Sequence, residues 1–599
     1  MRVKKSKSPS NASNDSNAAV VPPLNNGRRA LFWISVMAVI AVILFIVSRQ
    51  QHSSKTAHTV TYSREIAPIV YQHCAECHNP AQSAPFSLLG YDDVFKHSAQ
   101  IQKVVQNGSM PPWLPEAGCG EFLGERRLSA PEKNLFAQWI RDGAKEGDPK
   151  DLPPPPALSG EWQLGPPDLI LEMPQAFTLG AEGPDMYRSF VLPVSATGQR
   201  FVAATEVKPG TRAVHHAFVY LDRQRSVRTI EKDPAVPGVS GITAPTGVES
   251  LGGNFNSWQP GKRVYRAQDG FGWTLPPDAD MVVQCHLRPT GKPEQIKLRL
   301  GLYFTQSPPT QQTLKGLLRS LDIHIPAGKL DYVVSDQYII PVDVDLLAFL
   351  PHCHFLGKDL RADAEFPNGE KRCLFHIPRW DFNWQGDYVL KNPLRLPSGT
   401  RVSMHYVFDN SAANPANPYS PPRAVEYGPE STDEMAEFWF QILPVHPEEY
   451  KKLATDFSNV KGIPDSIAYN SWRLSKDPND ARAHFGMSTA LIIVGKYADA
   501  ETHLRLAIAA NPQYDEAHFQ LGYLFALQNQ RDDAIKEMTA AIQVNPKNFK
   551  AHNGLGSMLE SLGDLKKAEA EYEEALRLNP GDPMAISNLQ HLRRSQPKK

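Results

Sequence analysis

The chain has 599 residues, enough for about four domains at the usual size of about 100–200 residues each. Its 63 basic and 64 acidic residues give a formal net charge of -1 at pH 7, which offers no basic surface for nucleic acid. We therefore expect a multidomain protein without a nucleic-acid partner and without a polybasic membrane patch beyond the extreme N terminus.

The N terminus predicts a tail followed by a membrane anchor. Residues 1–27 are rich in Ser, Asn, Ala and Lys without apolar periodicity, so we predict a disordered cytoplasmic tail. Within residues 28–50, the stretch from Ala30 to Val47 is almost entirely apolar and long enough, as a helix, to span a bilayer. Basic residues precede this stretch and place its N-terminal end in the cytoplasm: Lys4, Lys5, Lys7, Arg28 and Arg29. We predict a single-pass inner-membrane protein with its other domains in the periplasm, the alternative being a cleaved signal peptide.

Residues 60–150 carry helical periodicity, and a motif within them predicts covalent haem. In Cys74-Ala75-Glu76-Cys77-His78, the two thiols have the spacing that adds to the vinyl groups of haem c, and the adjacent His78 ligates the iron. A chance match, or a cysteine pair that binds zinc, is the alternative. Export from the cytoplasm, which the anchor predicts, is what haem attachment requires.

The second axial ligand of the iron is predicted to be Met110. It stands in Gly108-Ser109-Met110-Pro111-Pro112-Trp113, where the prolines favour an extended loop that can hold a thioether over the haem. This stretch resembles class I cytochrome c domains, in which such a methionine is the distal ligand. His73 and His97 are weaker alternatives. Further along, the sequence from Ala130 to Trp139 predicts a capped helix, which completes an all-α domain over residues 60–150.

A proline-rich spacer from Asp151 to Pro156 separates the helical region from a region of predicted strands. Between about residues 160 and 450, short β-branched and aromatic runs alternate with Pro-Gly and Asn-Gly turns, as in residues 332–334 and 401–407. The region is too long for one small sandwich. We predict two all-β domains, over residues 160–310 and 311–450.

Histidines occur in three clusters along the predicted strands. They are His215-His216, the single His286 at the end of an apolar run, and His352-Cys353-His354. Taken singly, each histidine could be a hydrogen-bonded core residue. His352 and His354 are two apart, which on a strand places both rings on one face, as one metal ion requires. The side chains of His215 and His216 would point to opposite faces of a regular strand, so joint binding needs a strand end or a bulge.

The order of these clusters resembles the copper type II ascorbate-dependent monooxygenases, which include peptidylglycine-hydroxylating and dopamine-hydroxylating enzymes. The resemblance covers about residues 165–445 and includes Leu356-Gly357-Lys358 after the His-x-His pair and Asp433-Glu434-Met435 further on. It implies two jelly-roll sandwiches side by side, each with one copper, facing each other across a solvent-filled cleft. The resemblance assigns an electron-storing copper to His215, His216 and His286. It assigns the copper that binds dioxygen to the catalytic ligands His352, His354 and Met435, with Met404 as a competing thioether.

Two departures from that family bear on the substrate. Peptide-amidating members have an arginine for the substrate carboxylate two positions before the His-x-His pair, where this chain has Leu350. They also have Asn and Tyr after the ligand methionine, where this chain has Glu437 and Trp439. Without the guanidinium group a C-terminal carboxylate loses its charge-assisted partner. We therefore expect a substrate other than a glycine-extended peptide.

The last third of the chain has an internal period of 34 residues. The period relates three Asn-Pro pairs and two sets of three alanines: Asn511-Pro512, Asn545-Pro546, Asn579-Pro580, Ala483, Ala517, Ala551, Ala500, Ala534 and Ala568. This pattern resembles the tetratricopeptide repeat, in which small residues lie where two helices cross. We predict three repeats from about 480 to 581, a capping segment from Met584 to Leu592, and a repeat domain over residues 460–599.

Together these patterns predict a copper-dependent monooxygenase with two coppers and one haem c per chain. We expect it to hydroxylate an activated C–H bond of a small molecule with dioxygen, to receive electrons from a protein or small reductant through the haem domain, and to bind a protein partner through the repeats. The alternative is a copper-binding or electron-transfer protein without oxygenase activity. Four cysteines remain for disulfides, with three possible connectivities: Cys119, Cys285, Cys353 and Cys373.

Overall fold

The computed structural model describes residues 33, 36–43, 59–80, 84–155, 161–196, 198–230, 236–241, 244–245, 247–253, 255–267 and 270–595. The predicted tail lies outside these residues, and of the predicted anchor only Trp33 and residues 36–43 are described, as helix. Over the described part of the chain, no helix has both the length and the apolar character needed to span a membrane.

The N-terminal region is helical and forms a small core of its own. Tyr62, Val70, Phe136 and Trp139 are buried there among the four helices. The last helix begins with a capping box between Ser129 and Glu132, as its sequence predicts, because each satisfies a free backbone N–H group of the other. The helices are α1 (Ala67–His73), α2 (Tyr91–Lys96), α3 (Ser98–Gln106) and α4 (Ala130–Arg141).

Residues 111–126, which we call the strap, leave these helices and lie on the second β-sandwich instead. Leu123 N–H donates to the Val389 carbonyl (2.8 Å), and Lys391 N–H donates to the Glu121 carbonyl (2.8 Å). Phe122 lies within the core of that sandwich. Part of the region predicted as a domain of residues 60–150 is therefore built into the second sandwich.

The first sandwich consists of two antiparallel sheets that enclose one apolar core. One sheet has the order β1-β12-β4-β9 and the other β6-β3-β10-β5-β7, with β8 paired to β5, and β2 pairs separately with β11. The strands are β1 (Leu169–Glu172), β2 (Phe177–Leu179), β3 (Met186–Pro193), β4 (Arg200–Lys208), β5 (Val214–Asp222), β6 (Val239–Ser240), β7 (Glu249–Ser250), β8 (Ser257–Trp258), β9 (Trp273–Leu275), β10 (Asp280–Leu287), β11 (Glu294–Ile296) and β12 (Arg299–Thr305), and a short helix α5 (Val227–Ile230) follows β5.

The second sandwich has the same two-layer construction. Its sheets have the orders β13-β22-β16-β19 and β15-β20-β17-β18, and β14 pairs with β21. The strands are β13 (Leu314–Arg319), β14 (His324–Ile325), β15 (Tyr332–Ile339), β16 (Val344–Cys353), β17 (Gly357–Glu365), β18 (Lys371–Ile377), β19 (Tyr388–Leu396), β20 (Arg401–Phe408), β21 (Val425–Glu426) and β22 (Ala436–Pro444).

The C-terminal region is a solenoid of antiparallel helix pairs. The six alanines in the 34-residue register are fully buried, because only a small side chain fits where the helices cross. The first two helices pack on the second sandwich, where Trp472 contacts Tyr427 with ring centroids 5.0 Å apart. The helices are α6 (Tyr450–Phe457), α7 (Ile463–Lys476), α8 (Ala481–Ile493), α9 (Tyr497–Ala510), α10 (Asp515–Leu527), α11 (Arg531–Val544), α12 (Phe549–Ser561), α13 (Leu565–Leu578) and α14 (Pro583–Ser595).

The four cysteines outside the haem motif resolve into one disulfide and two buried thiols. Cys119 of the strap is bonded to Cys373 of β18, across a sequence separation of 254 residues. Cys285 and Cys353 are unpaired and buried, each next to a histidine of the predicted metal sites. The sequence left the disulfide pairing open, and the pairing found links the strap to the second sandwich.

The two sandwiches meet through the outer faces of β5 and β16. Phe218 of β5 and Phe255 pack against Leu350 of β16 and Trp439 of β22, so the interface is apolar. Burial of such side chains stabilises the contact by about 1.5–3 kcal/mol for each fully buried residue. The histidine clusters lie at the ends of the same two strands, which places them where the sandwiches touch.

Candidate copper and haem sites

The first histidine group lies where the beginning of β5 pairs with the end of β10. His286 pairs with His216, but Leu287 pairs with Val214, so His215 is an extra residue in β5. Such a β-bulge turns two consecutive side chains to one side of a sheet. This bulge therefore allows His215 and His216 to bind one metal ion together, as the sequence analysis required.

The three rings of this group are close enough to share one metal ion. One possible ligand atom of each histidine lies within 4.8 Å of those of the other two. The ring centroids of His216 and His286 are 4.9 Å apart, and those of His215 and His286 are 5.2 Å apart. This spacing suits imidazole ligands around a transition-metal ion.

His286 has one nitrogen held by the protein and one free. Its Nε2 lies 3.0 Å from Oδ2 of Asp185, and its ring stacks on Tyr187 with centroids 4.4 Å apart. Its Nδ1 is buried and has no hydrogen-bond partner. A buried polar atom without a partner is costly, and a metal ion at Nδ1 satisfies it, while the carboxylate orients the ring as in other metal sites. Asp185 is a residue that the sequence analysis missed.

The electrostatics keep the imidazoles of His215 and His216 neutral. Burial, reinforced by His286, lowers the pKa of His215 to about 3. Burial and the neighbouring histidines also hold the pKa of His216 well below its usual range. A neutral imidazole has the free lone pair that a metal ion needs.

The second histidine group lies where β16 ends beside the beginning of β22. His352 and His354 have ring centroids 5.2 Å apart. His352 Nδ1 is hydrogen-bonded to Oε1 of Gln385, and His354 Nδ1 lies 3.2 Å from the Asp433 carbonyl. An imidazole ring that donates to an oxygen through Nδ1 keeps its Nε2 free for a metal. In His354, Nε2 is buried and has no hydrogen-bond partner.

Glu434 fixes the backbone of this second group. Its buried carboxylate accepts hydrogen bonds from the backbone N–H groups of His354, Leu356 and Met435. Burial raises the pKa of Glu434 to about 8, although the three backbone donors oppose the shift. Glu434 therefore joins the loop of the His-x-His pair to the loop of the methionine, a role that its sequence motif alone did not predict.

The strand register favours Met435 over Met404 as the thioether of this group. Cys353 pairs with Ala436, so Met435, the preceding residue, lies opposite His354. Met404 belongs to β20 in the other sheet and is fully buried in the core of the sandwich. The choice of Met435 as ligand stays a prediction.

The two groups lie against each other, which differs from the solvent-filled cleft that the resemblance implied. The rings of His216 and His352 have centroids 6.2 Å apart. Phe382 lies between the groups, 4.6 Å from the His215 ring and 5.5 Å from the His354 ring between centroids. The apolar contact between β5 and β16 brings the two groups together.

The three positions that depart from the amidating enzymes, Leu350, Glu437 and Trp439, lie on the adjacent strands β16 and β22. Leu350 is buried in the apolar contact between the sandwiches. Glu437 pairs with His352 across β16 and β22, and its Oε2 accepts a hydrogen bond from Trp439 Nε1 (3.2 Å). In the described residues, the position of the arginine is therefore filled by apolar packing.

The haem-attachment segment follows directly on α1. His78 Nδ1 lies 3.0 Å from the Phe86 carbonyl, which leaves Nε2 for an iron ion, and the sulfurs of Cys74 and Cys77 are unpaired. The donors present therefore fit a covalent haem. The half-buried Met110 begins the turn into the strap, with its N–H bonded to the Val104 carbonyl (3.1 Å).

The two alternative axial histidines differ in their contacts. His97 stacks on Phe86 with ring centroids 3.9 Å apart. His73 Nε2 lies 3.4 Å from Oε1 of Glu132 in α4, and neither ring nitrogen of His73 has a hydrogen-bond partner among the described residues. Neither contact involves Met110, whose role as the second ligand stays a prediction.

Comparisons with known proteins identify the C-terminal region. A family profile described as tetratricopeptide repeat matches residues 485–535 and 519–583, so the solenoid consists of tetratricopeptide repeats, as the 34-residue period predicts. No curated protein sequence matches the chain.

Solved structures similar to this chain cover about a fifth of it. The crystal structure of MamA is 24% identical, covers 23% of this chain and 82% of its own, and has a TM-score of 0.21. The first TPR of Spaghetti (RPAP3), bound to the HSP90 peptide SRMEEVD, is 20% identical over 20% of this chain and 94% of its own, with a TM-score of 0.19. The TPR domain of Arabidopsis OM64 is 23% identical over 19% of this chain and 96% of its own, also with a TM-score of 0.19.

Proposed function

We propose that the protein is a copper-dependent monooxygenase that inserts one oxygen atom of dioxygen into an activated C–H bond of a small molecule. The observation that carries the proposal is the pair of enclosed histidine groups at the junction of the sandwiches. In each group a buried imidazole nitrogen has no partner, at His286 and at His354. The resemblance to copper type II ascorbate-dependent monooxygenases gives these groups their distinct roles.

Copper bound at these residues supplies one-electron redox chemistry and, in the Cu(I) state, a binding position for dioxygen. His215, His216 and His286 form the group that stores an electron. His352, His354 and Met435 form the group for dioxygen, since a soft thioether favours Cu(I). Asp185 orients the first group and Glu434 the second, while Phe382 packs between them.

The helical region delivers electrons to this centre. Cys74, Cys77, His78 and Met110 would hold haem c, which would supply one-electron chemistry in place of the free ascorbate of the related animal enzymes. Because the strap and the Cys119–Cys373 disulfide hold the region on the second sandwich, the donor is present at high effective concentration. We propose that the protein is anchored in the inner membrane and that this assembly lies in the periplasm.

The substrate is a small molecule that the protein does not recognise mainly through a terminal carboxylate. Leu350, in place of an arginine, is buried against Phe255 and Trp439, so no guanidinium group can hold such a carboxylate there. The tetratricopeptide repeats offer a concave surface, and we propose that a protein partner binds it.

Oxygen uptake with product analysis tests the proposed reaction. The copper-loaded protein, supplied with ascorbate and ¹⁸O₂, is screened against small aromatic and aliphatic compounds, and a His352→Ala/His354→Ala variant serves as the control. The proposal expects a product with one ¹⁸O atom that forms only with the wild-type protein. Copper binding without any hydroxylated product would instead support a copper-binding or electron-transfer protein.

Denaturation tests the haem assignment separately. Thioether bonds to Cys74 and Cys77 do not depend on the fold, so the haem is expected to stay with the unfolded chain. A haem that acid-acetone extracts from the protein would contradict covalent attachment and remove the internal electron donor.

A further inference from the structure

The proposed function leaves open which copper receives the electrons of the haem. The geometry points to the group of His352, His354 and Met435, reached through a relay of Arg126, Trp384 and Gln385. This inference rests on the proposed function and specifies how electrons arrive at the same centre.

The relay begins at the haem-attachment segment. Arg126 at the end of the strap has its Nη1 4.0 Å from Sγ of Cys77, the thiol expected to carry one edge of the haem. Glu76, the residue before Cys77, forms an ion pair with Arg263 of the first sandwich. These contacts hold the Cys77 side of the segment against the sandwiches rather than toward solvent.

Arg126 then meets the loop that leads to the histidines. Its Nη2 donates to the Gly261 carbonyl (2.6 Å). A Cβ atom at Gly261 would lie 3.2 Å from Arg126 Nη1 and 4.0 Å from the indole of Trp384, so these two side chains flank the glycine. Gly261 also has a φ of +77°, which favours glycine.

Trp384 closes a short helical turn, Phe382–Trp384, and the next residue makes the last contact. Oε1 of Gln385 is hydrogen-bonded to Nδ1 of His352, which leaves the opposite ring nitrogen for copper. Arg126, Trp384 and Gln385 all line one cleft of about 510 Å³ between the strap and the two sandwiches. Arg126, which lies near Cys77, therefore lines the same cleft as Gln385, which is hydrogen-bonded to His352.

A second connection leads to the other group, and it is weaker. Phe382 stacks on His215, but no hydrogen bond joins the two rings in the described residues. Tunnelling through bonds and hydrogen bonds decays less steeply than tunnelling through a gap, so the Gln385–His352 link is the better path. Each transfer oxidises the haem iron from Fe(II) to Fe(III) and reduces one Cu(II) to Cu(I), and the electron is the only particle exchanged.

Flash reduction of the haem in the copper-loaded full-length protein tests this path without oxygen or substrate. A photoreductant supplies one electron, and absorbance follows haem reoxidation while freeze-quench EPR follows the two Cu(II) signals. We expect a first-order phase in which the signal of the His352 group is lost first. The phase should persist in His286→Ala and disappear in His352→Ala/His354→Ala.

Variants of the relay separate the path from simple proximity. Gln385→Leu removes the acceptor for His352 and should slow the phase by about tenfold or more, whereas Gln385→Glu keeps an acceptor and should restore it. Trp384→Leu, which touches neither metal group, should also slow it, and Gln295→Leu on the exposed strand β11 is the matched control. Copper content and haem potential are measured for each variant, so that a lost metal is not mistaken for a lost path.

The inference is overturned if the fast phase survives in His352→Ala/His354→Ala, or if Gln385→Leu and Trp384→Leu both transfer at the wild-type rate with full copper content. Neither result affects hydroxylation supported by ascorbate, which tests the proposed function. Metal analysis that finds no copper at either group would overturn both.

Discussion

Each candidate metal group contains a buried histidine that lacks a hydrogen-bond partner at one nitrogen and is held by the protein at the other. His286 is held at Nε2 by Asp185, whereas His354 is held at Nδ1 by the Asp433 carbonyl. The free atoms are therefore Nδ1 in one group and Nε2 in the other. The two coppers that we propose would therefore be bound through different ring atoms in the two groups.

Replacing Met435 with Ile should remove the thioether ligand and leave the three-histidine copper in place. Isoleucine has a similar volume, so the fold should lose less than about 1.5 kcal/mol. X-ray absorption of the Cu(I) protein should lose its Cu–S scattering in Met435→Ile and keep it in Met404→Ile. If the scattering is lost in Met404→Ile and kept in Met435→Ile, the wrong sulfur has been assigned.

Replacing Asp185 with Asn should weaken copper binding at the three-histidine group by about 10–100-fold, because a neutral amide supports the ring of His286 less well than a carboxylate. Burial alone would raise the pKa of Asp185, but hydrogen bonds from His286 and Ser431 outweigh it and lower that pKa, so the carboxylate is charged. Titration against a copper chelator measures the change.

Ser431→Ala is the matched control for Asp185→Asn. Ser431 Oγ donates to Oδ2 of Asp185 across the junction of the two sandwiches, and its removal leaves the contact with His286 intact. We expect a much smaller loss of affinity in Ser431→Ala. Equal losses in both variants would mean that Asp185 acts through the junction between the sandwiches and not through His286.

At the scale of elements, the sequence predicted the clusters but not the pairing that unites them. His352 and His354 could be placed on one face because a strand has a period of two. The bulge at His215 could not be predicted, since it depends on how β10 pairs with β5, about 70 residues earlier in the chain. The position of Asp185 depends on the same long-range packing.

The position of the strap was the feature of the fold that the sequence predicted least well. Its residues follow a predicted haem ligand and read as part of the helical domain, yet Phe122 is in a β-sandwich core. Hydrogen bonds to residues near 390 and a disulfide to Cys373 hold it there. Contacts over such sequence distances leave no local pattern.

Loss of the Cys119–Cys373 disulfide should destabilise the second sandwich by about 2–5 kcal/mol, because the bond constrains a long loop in the unfolded chain. Calorimetric unfolding with and without a thiol reductant measures the change. A Cys119→Ser/Cys373→Ser variant should match the reduced wild-type protein and show no response to the reductant. A reductant effect that persists in this variant would show that the stability depends on another group.

At the scale of the whole molecule, the strap and helices α6 and α7 join the four parts into one assembly. The strap binds the helical region to the second sandwich, and Arg319 of β13 forms an ion pair with Asp465 of α7. The sequence predicted the four parts and the repeat period. It did not predict the closed contact between His216 and His352, because that contact depends on the shapes of two faces that are far apart in the chain.

The most direct test of the account is the copper content of the purified protein and of two variants. We predict two coppers per chain in the wild-type protein, and one in each of His286→Ala and His352→Ala/His354→Ala, with different Cu(II) EPR spectra for the two that remain. Because His216 and His352 lie close together, one metal shared by all five histidines is the competing arrangement. A single copper that both variants lose would contradict the account, as would a wild-type protein that binds no copper.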